Sequence, residues 1–217
     1  MIPVKICGIT RLQDALQCVE YGVSAVGFVF APSQRRMDPA AAAAIARKLP
    51  PFLTKVGVFV DEDPLVIREI MADCALDLAQ LHGGEAPECA AVLAGRVIKA
   101  FRAGAGKPDS AWREAPLRGV LVDAFSPRAH GGTGQTFEWS LIEPYRALGH
   151  PLILAGGLHP GNIRAALAAV RPAAVDLSSG VEREPGIKDP HKIRELMAAV
   201  RDCAGGDNYR EGCEKIG

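Results

Sequence analysis

A single (β/α)8 barrel is the fold class this chain predicts, and three observations predict it. Short β-rich apolar runs alternate with helix-patterned segments along the whole length. Eight such units fit into 217 residues, about 27 each, close to the lower size limit of a closed α/β barrel. No dinucleotide-binding glycine fingerprint follows the first strand, which favours closure over the open doubly wound sheet that the same alternation also allows.

The first strand is read at Val4-Lys5-Ile6-Cys7, and Gly8-Ile9-Thr10 turns the chain into a helix that Thr10 and Gln13 are expected to cap reciprocally. Strands two to eight are read at residues 25–30, 55–60, 77–81, 97–101, 119–123, 152–155 and 174–178. Near-continuous apolar runs of this kind suit parallel strands covered by helices. Between them, four stripes follow the i, i+3, i+4, i+7 rule: Leu12, Ala15, Leu16, Val19; Ile67, Ile70, Met71, Cys74; Ile163, Ala166, Leu167, Val170; and Ile193, Leu196, Met197, Val200. Asp63-Pro64 and Asp189-Pro190 each supply an N-cap with proline in the first turn. The fifth helix is the weakest, because the glycine- and proline-containing stretch 103–108 leaves only a short segment before Ala115.

Residues 1–201 are expected to form one catalytic domain, and 202–217 a polar, glycine-rich, frayed tail carrying Cys203 and Cys213. Lys+Arg and Asp+Glu balance at 25 each, so no basic field points to nucleic acid or an anionic membrane. The apolar runs are too short to span a bilayer, and no secretory h-region opens the chain. Six cysteines without a CxxC pair read as reduced thiols, so the expected location is the cytoplasm.

In a barrel, chemistry collects at the C-terminal ends of the strands. Cys7 ends strand one, Gln80 and His82 close strand four, Asp123 ends strand six, and Arg35 and Arg36 sit in the loop after strand two. Gly156-Gly157 follow strand seven and Ser178-Ser179-Gly180 follow strand eight, the two loops where barrels recurrently hold phosphate. Glycines there let backbone N–H groups approach a dianion, and a short helical turn from Ser179 aims its positive end at the same point. A phosphorylated small substrate is the expected partner. Strands one and six are not neighbours, so Cys7 and Asp123 face each other obliquely across the mouth. A thiolate base and a carboxylic acid so placed can serve two proton transfers on one substrate, provided their environments push their pKa values in opposite directions. The plain alternatives are a buried core cysteine and an Asx-type acceptor at a strand end. Asp176 competes for the acid role, but its place inside strand eight suits an interior hydrogen-bonding residue.

Seven ordered blocks carry a resemblance. They are VKICGIT at 4–10, GFVF at 27–30, QLHG at 80–83, and Val122-Asp123 with GGTGQTFEW at 131–139. AGGL at 155–158, VDLSSGVE at 175–182 and PGIKD at 185–189 complete them. Together they closely resemble the phosphoribosylanthranilate isomerase family over residues 3 to about 200. The resemblance implies an Amadori rearrangement in tryptophan biosynthesis without metal or cofactor. It implies Cys7 as general base, Asp123 as general acid, Arg35 as ligand of the anthranilate carboxylate, and Gln80 and His82 as further substrate contacts. The Ser33-Gln34-Arg35 spacing favours Arg35 over Arg36, although the family's usual Ser-Pro-Arg-aromatic reads Ser-Gln-Arg-Arg here. Two other readings stay open at this point: another sugar-phosphate barrel, such as the histidine-pathway isomerase with its Asp/Asp pair, or a non-catalytic metabolite-binding or structural barrel. Assembly as a monomer or a homodimer fits either.

Overall fold

The computed structural model describes residues 1–124 and 139–204. Eight parallel strands follow one another around a closed barrel: β1 (Val4–Cys7), β2 (Ala25–Val29), β3 (Thr54–Phe59), β4 (Leu78–Leu81), β5 (Val97–Arg102), β6 (Gly119–Asp123), β7 (Leu152–Ala155) and β8 (Ala174–Leu177). β8 returns to pair with β1, so Lys5 lies opposite Ala25 on one side and opposite Asp176 on the other. The chain is one domain.

Helices cover the outside: α1 (Leu12–Tyr21), α2 (Pro39–Ala46), α3 (Pro64–Asp73), α4 (Glu88–Val92), α5 (Glu143–Arg146), α6 (Ile163–Val170) and α7 (Pro190–Ala204). The main core lies between this layer and the sheet, and includes Ile67 and Met71 of α3, all four stripe residues of α6 and those of α7. A separate cluster of Ile98, Ala100, Leu121 and Ala155 fills part of the barrel interior. Asp63 caps α3 by accepting from the Leu65 amide, and Asp189 accepts from the amides of His191 and Lys192 at the start of α7. Asp38 before Pro39 repeats the device at α2.

Three expectations are corrected. Thr10 does not cap α1: its hydroxyl donates to the Gly186 carbonyl in a distant loop, and α1 starts after Arg11 with no side-chain cap. Leu16 is 46% exposed, because α1 turns Asp14, Ala15 and Cys18 inward instead. Asp14 is drawn in by the Lys188 amide, which donates to its carboxylate. The fifth helix is a single 3-10 turn, Ser110–Arg113, capped by Asp109, with Trp112 buried beneath it. Gly104 and Gly106 precede it with φ of 78° and 112°, a backbone region that breaks rather than starts a helix.

At the C-terminal end, α7 continues through Ala204, and residues 205–217 lie outside the described residues, as does the 131–138 part of the GGTGQTFEW block. Between β8 and α7 the chain inserts a 3-10 turn (Ser179–Val181) and an antiparallel hairpin, β9 (Glu182–Glu184) with β10 (Ile187–Lys188).

Candidate active site

The C-terminal mouth of the barrel opens into a cleft of about 340 Å³. Ten residues singled out in the sequence line it, Cys7, Arg35, Gln80, His82, Asp123, Gly156, Gly157, Ser178, Ser179 and Gly180, and Asp176 lines it with them. Closure of the barrel explains the convergence, since it gathers the C-terminal strand ends and the loops after them around one mouth.

Cys7 is the last residue of β1. The chain then turns at Gly8, whose φ of 77° suits glycine, and the Gly8 and Ile9 amides both donate to the Gly27 carbonyl. A Cβ on Gly8 would stand 2.5 Å from Arg35 Cδ, so this glycine also makes room for the arginine. Gly27 on β2 leaves the space the thiol occupies: a Cβ there would lie 2.9 Å from Cys7 Sγ and 3.1 Å from Lys5 Cε. Burial pushes the Cys7 thiol up from its ordinary value; Lys5 and Lys188 pull it down and Asp176 opposes them. This reverses the lowered value expected of a thiolate base: burial outweighs the two lysines, so the resting residue is a thiol, and its ionisation is left to the cations beside it.

Lys5 is buried and its ammonium lies 2.9 Å from Asp176 Oδ1. Asp176 is thus the interior hydrogen-bonding residue its position suggests. On the opposite wall, Gln80 Nε2 lies 3.3 Å from His82 Nδ1, which assigns the ring proton to Nε2 when the amide donates. Burial lowers the His82 pKa, and the nearby Asp123 and Asp176 only partly offset it, so the imidazole is neutral near pH 7. Gln80 Oε1 is buried without a hydrogen-bond partner among the described residues.

Arg35, not Arg36, faces the cleft; Arg36 is exposed and does not line it. The Arg35 fork is bidentate on Glu182, Nε to Oε1 at 2.8 Å and Nη2 to Oε2 at 2.6 Å. In the loops after β7 and β8, Gly156 and Gly157 have φ of 90° and 63°, and a Cβ on Gly157 would enter open space. Gly180 is different. A Cβ there would fall 1.8 Å from the Leu158 carbonyl oxygen, so this glycine lets the two loops touch. The Ser178 hydroxyl donates to the Cys7 carbonyl at 3.2 Å, tying the β8 loop to the end of β1.

The arrangement offers a thiol and a carboxyl at the ends of non-adjacent strands, an arginine at one rim, and two glycine-rich loops meeting at another. A model of the family described as N-(5'phosphoribosyl)anthranilate (PRA) isomerase matches residues 4–199. The chain belongs to that isomerase family. It is 50% identical to an N-(5'-phosphoribosyl)anthranilate isomerase of Desulforudis audaxviator, covering 93% of this chain and 99% of the relative. A solved phosphoribosyl anthranilate isomerase in complex with reduced 1-(o-carboxyphenylamino)-1-deoxyribulose 5-phosphate superposes with a TM-score of 0.80 at 43% identity, over 93% of this chain and all of that one. Monomers generated from the dimeric Thermotoga maritima isomerase give a TM-score of 0.77 at 41% identity, with the same coverage.

Behind the cleft wall this member of the isomerase family buries three charged residues that the sequence motifs do not single out: Lys5, Glu182 and Lys188. Lys5 carries a signal, since a charge inside an otherwise apolar parallel strand needs a buried partner. Glu182 and Lys188 lie inside quoted motif blocks, yet nothing local marks them as buried.

Proposed function

We propose that this chain converts N-(5-phosphoribosyl)anthranilate to 1-(2-carboxyphenylamino)-1-deoxyribulose 5-phosphate, with Cys7 as general base and Asp123 as general acid. The observation that carries this reading is the convergence of these two residues on one cleft in a member of the isomerase family. The Asp123 carboxyl gives its proton to the furanose oxygen; the C1–O bond breaks and the amine lone pair forms an iminium. The Cys7 thiolate then removes the C2 proton, and the electron pair left behind forms the C1=C2 bond and neutralises the iminium. The resulting enolamine tautomerises to the ketone, its hydroxyl proton being lost as C1 gains one. Proton transfers alone balance the reaction.

The phosphate is taken by the loops carrying Gly156, Gly157, Ser178, Ser179 and Gly180, and the anthranilate carboxylate by Arg35, with Gln80 and His82 on the wall between. Holding both ends of an extended substrate turns remote binding energy into alignment at the reacting carbons. The reaction is placed in the cytoplasm, within residues 1–201, and the assembly is read as a monomer or a homodimer. Purified protein mixed with phosphoribosylanthranilate should abolish the anthranilate fluorescence enzymatically; a rate no faster than the blank refutes the assignment.

A further inference from the structure

The hairpin after β8 places one carboxylate under four donors. Glu182 is 6% exposed and accepts from Arg35 Nε and Nη2, from Lys188 Nζ at 2.7 Å and from the Gly186 amide at 3.2 Å. Lys188, 1% exposed, also donates to the carbonyls of Cys7 and Ser178. A single network, buried at Glu182 and Lys188, therefore joins the arginine on the β2 loop, the strand end that holds the thiol, and the loop after β8.

Two features of this network concern ligand recognition as well as stability. The fork on Glu182 takes one edge of the guanidinium through two of its five N–H groups, leaving the rest for a second planar acceptor. One arginine, one glutamate and one lysine sum to a single positive charge, so the Arg35–Glu182–Lys188 cluster as a whole favours an anion. Arg35 and Lys188 together hold the Glu182 carboxyl below its ordinary value despite burial, so the carboxylate is ionised near pH 7.

We propose that Glu182 is the positioning residue for carboxylate recognition. It fixes the plane of the Arg35 guanidinium at the rim of the cleft. Lys188 ties that plane to the backbone of Cys7, so the span from the arginine to the thiol is set by bonded side chains rather than by a free one. This inference rests on the reading that Arg35 takes the substrate carboxylate.

The test compares two ligands, reduced 1-(2-carboxyphenylamino)-1-deoxyribulose 5-phosphate and its counterpart lacking the carboxyl group. Dissociation constants are measured by calorimetry for wild type, Arg35→Ala, Glu182→Gln and Glu182→Asp. Glu182→Gln should weaken the carboxylate ligand by about tenfold, one charge-assisted bond's worth, and leave the decarboxylated ligand almost unmoved. Glu182→Asp should recover part of the loss, and the kinetic effect should appear in KM more than in kcat. The double variant Glu182→Gln/Lys188→Met removes the buried unpaired ammonium, keeps the single positive charge on Arg35, and serves if Glu182→Gln does not fold. Equal weakening of both ligands, or of neither, in the Glu182 variants overturns the positioning role. Undiminished preference for the carboxylate in Arg35→Ala overturns instead the underlying reading of Arg35.

Discussion

The Lys5 ammonium stands 2.9 Å from Asp176 Oδ1, directly below the Cys7 thiol on the inner face of β1. This pair pulls on the thiol in opposite directions, the cation favouring thiolate and the carboxylate opposing it. Burial of Lys5 is outweighed by Asp176 and Cys7, so its pKa is raised and it remains a cation through the neutral range.

The ionisation of Cys7 is accordingly expected to respond to both neighbours. Alkylation of Cys7 by iodoacetamide, followed by peptide mass spectrometry, should rise with pH around a midpoint above that of an ordinary thiol. Lys5→Met removes the favourable cation and should move the midpoint further up. Asp176→Asn removes the opposing charge and should move it down. Shifts of the opposite sign would show that the pair does not set the thiol's charge.

If Cys7 is the general base, Cys7→Ala should abolish nearly all turnover while substrate-analogue affinity stays close to wild type, because a base acts only on a proton in transit. Cys7→Ser should rescue little, since a hydroxyl without its own base is too weakly acidic. Asp123→Asn should lose turnover as well, but a substrate supplied already ring-opened bypasses the first proton transfer. On that substrate Asp123→Asn should regain much of its rate and Cys7→Ala should not. Equal loss in both variants would refute the division of labour.

Two glycines in the loops after β7 and β8 should fail in different ways. Gly157→Ala adds a methyl group facing open space at φ 63°, costing about 1 kcal/mol in backbone strain. Its thermal midpoint should move little while KM rises, since the methyl group obstructs the approach of phosphate to the amides. Gly180→Ala drives a Cβ into the Leu158 carbonyl and should lower the thermal midpoint sharply. Unfolding curves and steady-state kinetics on both variants separate the two effects.

Acid stability should depend on the Lys99–Glu85 pair, which lies outside the cleft. The two side chains are 3% and 2% exposed and 2.7 Å apart. Burial pushes the Glu85 carboxyl up, but Lys99 and the Asp61 amide outweigh it and hold the folded value below the unfolded one. A depressed carboxylate contributes stability in full above its unfolded pKa and loses it as pH falls through the folded value. Lys99→Met strands a buried carboxylate and should cost about 3 kcal/mol at pH 7. Its deficit against wild type should shrink on acidification, as the wild type loses its advantage; urea midpoints at pH 7 and pH 4 give the comparison.

Period and punctuation made the barrel readable. Apolar strands of four to six residues, helices with one wet face, and Asp-Pro at their starts are all local signals. The candidate cleft was readable for the same reason, because strand ends are local and closure brings them together. The buried charges were not. Lys5 meets Asp176 across 171 residues and Arg35 meets Glu182 across 147, so their pairing exists only after the fold does. Thr10 shows the same limit: its hydroxyl takes a carbonyl 176 residues away in place of the cap its neighbours suggest.

Pairing of β8 with β1 also places a condition on how the molecule comes into being. During synthesis the first strand emerges long before its second neighbour exists, and until then its far edge is an open row of amides and carbonyls. Lys5 waits equally long for Asp176, an uncompensated charge on a strand that must be buried. Contacts of such sequence separation are the slow ones in folding. A chain cut short before β8 would therefore lack more than the loop after that strand. It would hold Cys7 without the ion pair beneath it, and the thiol and its electrostatic surroundings arrive together, when the barrel shuts.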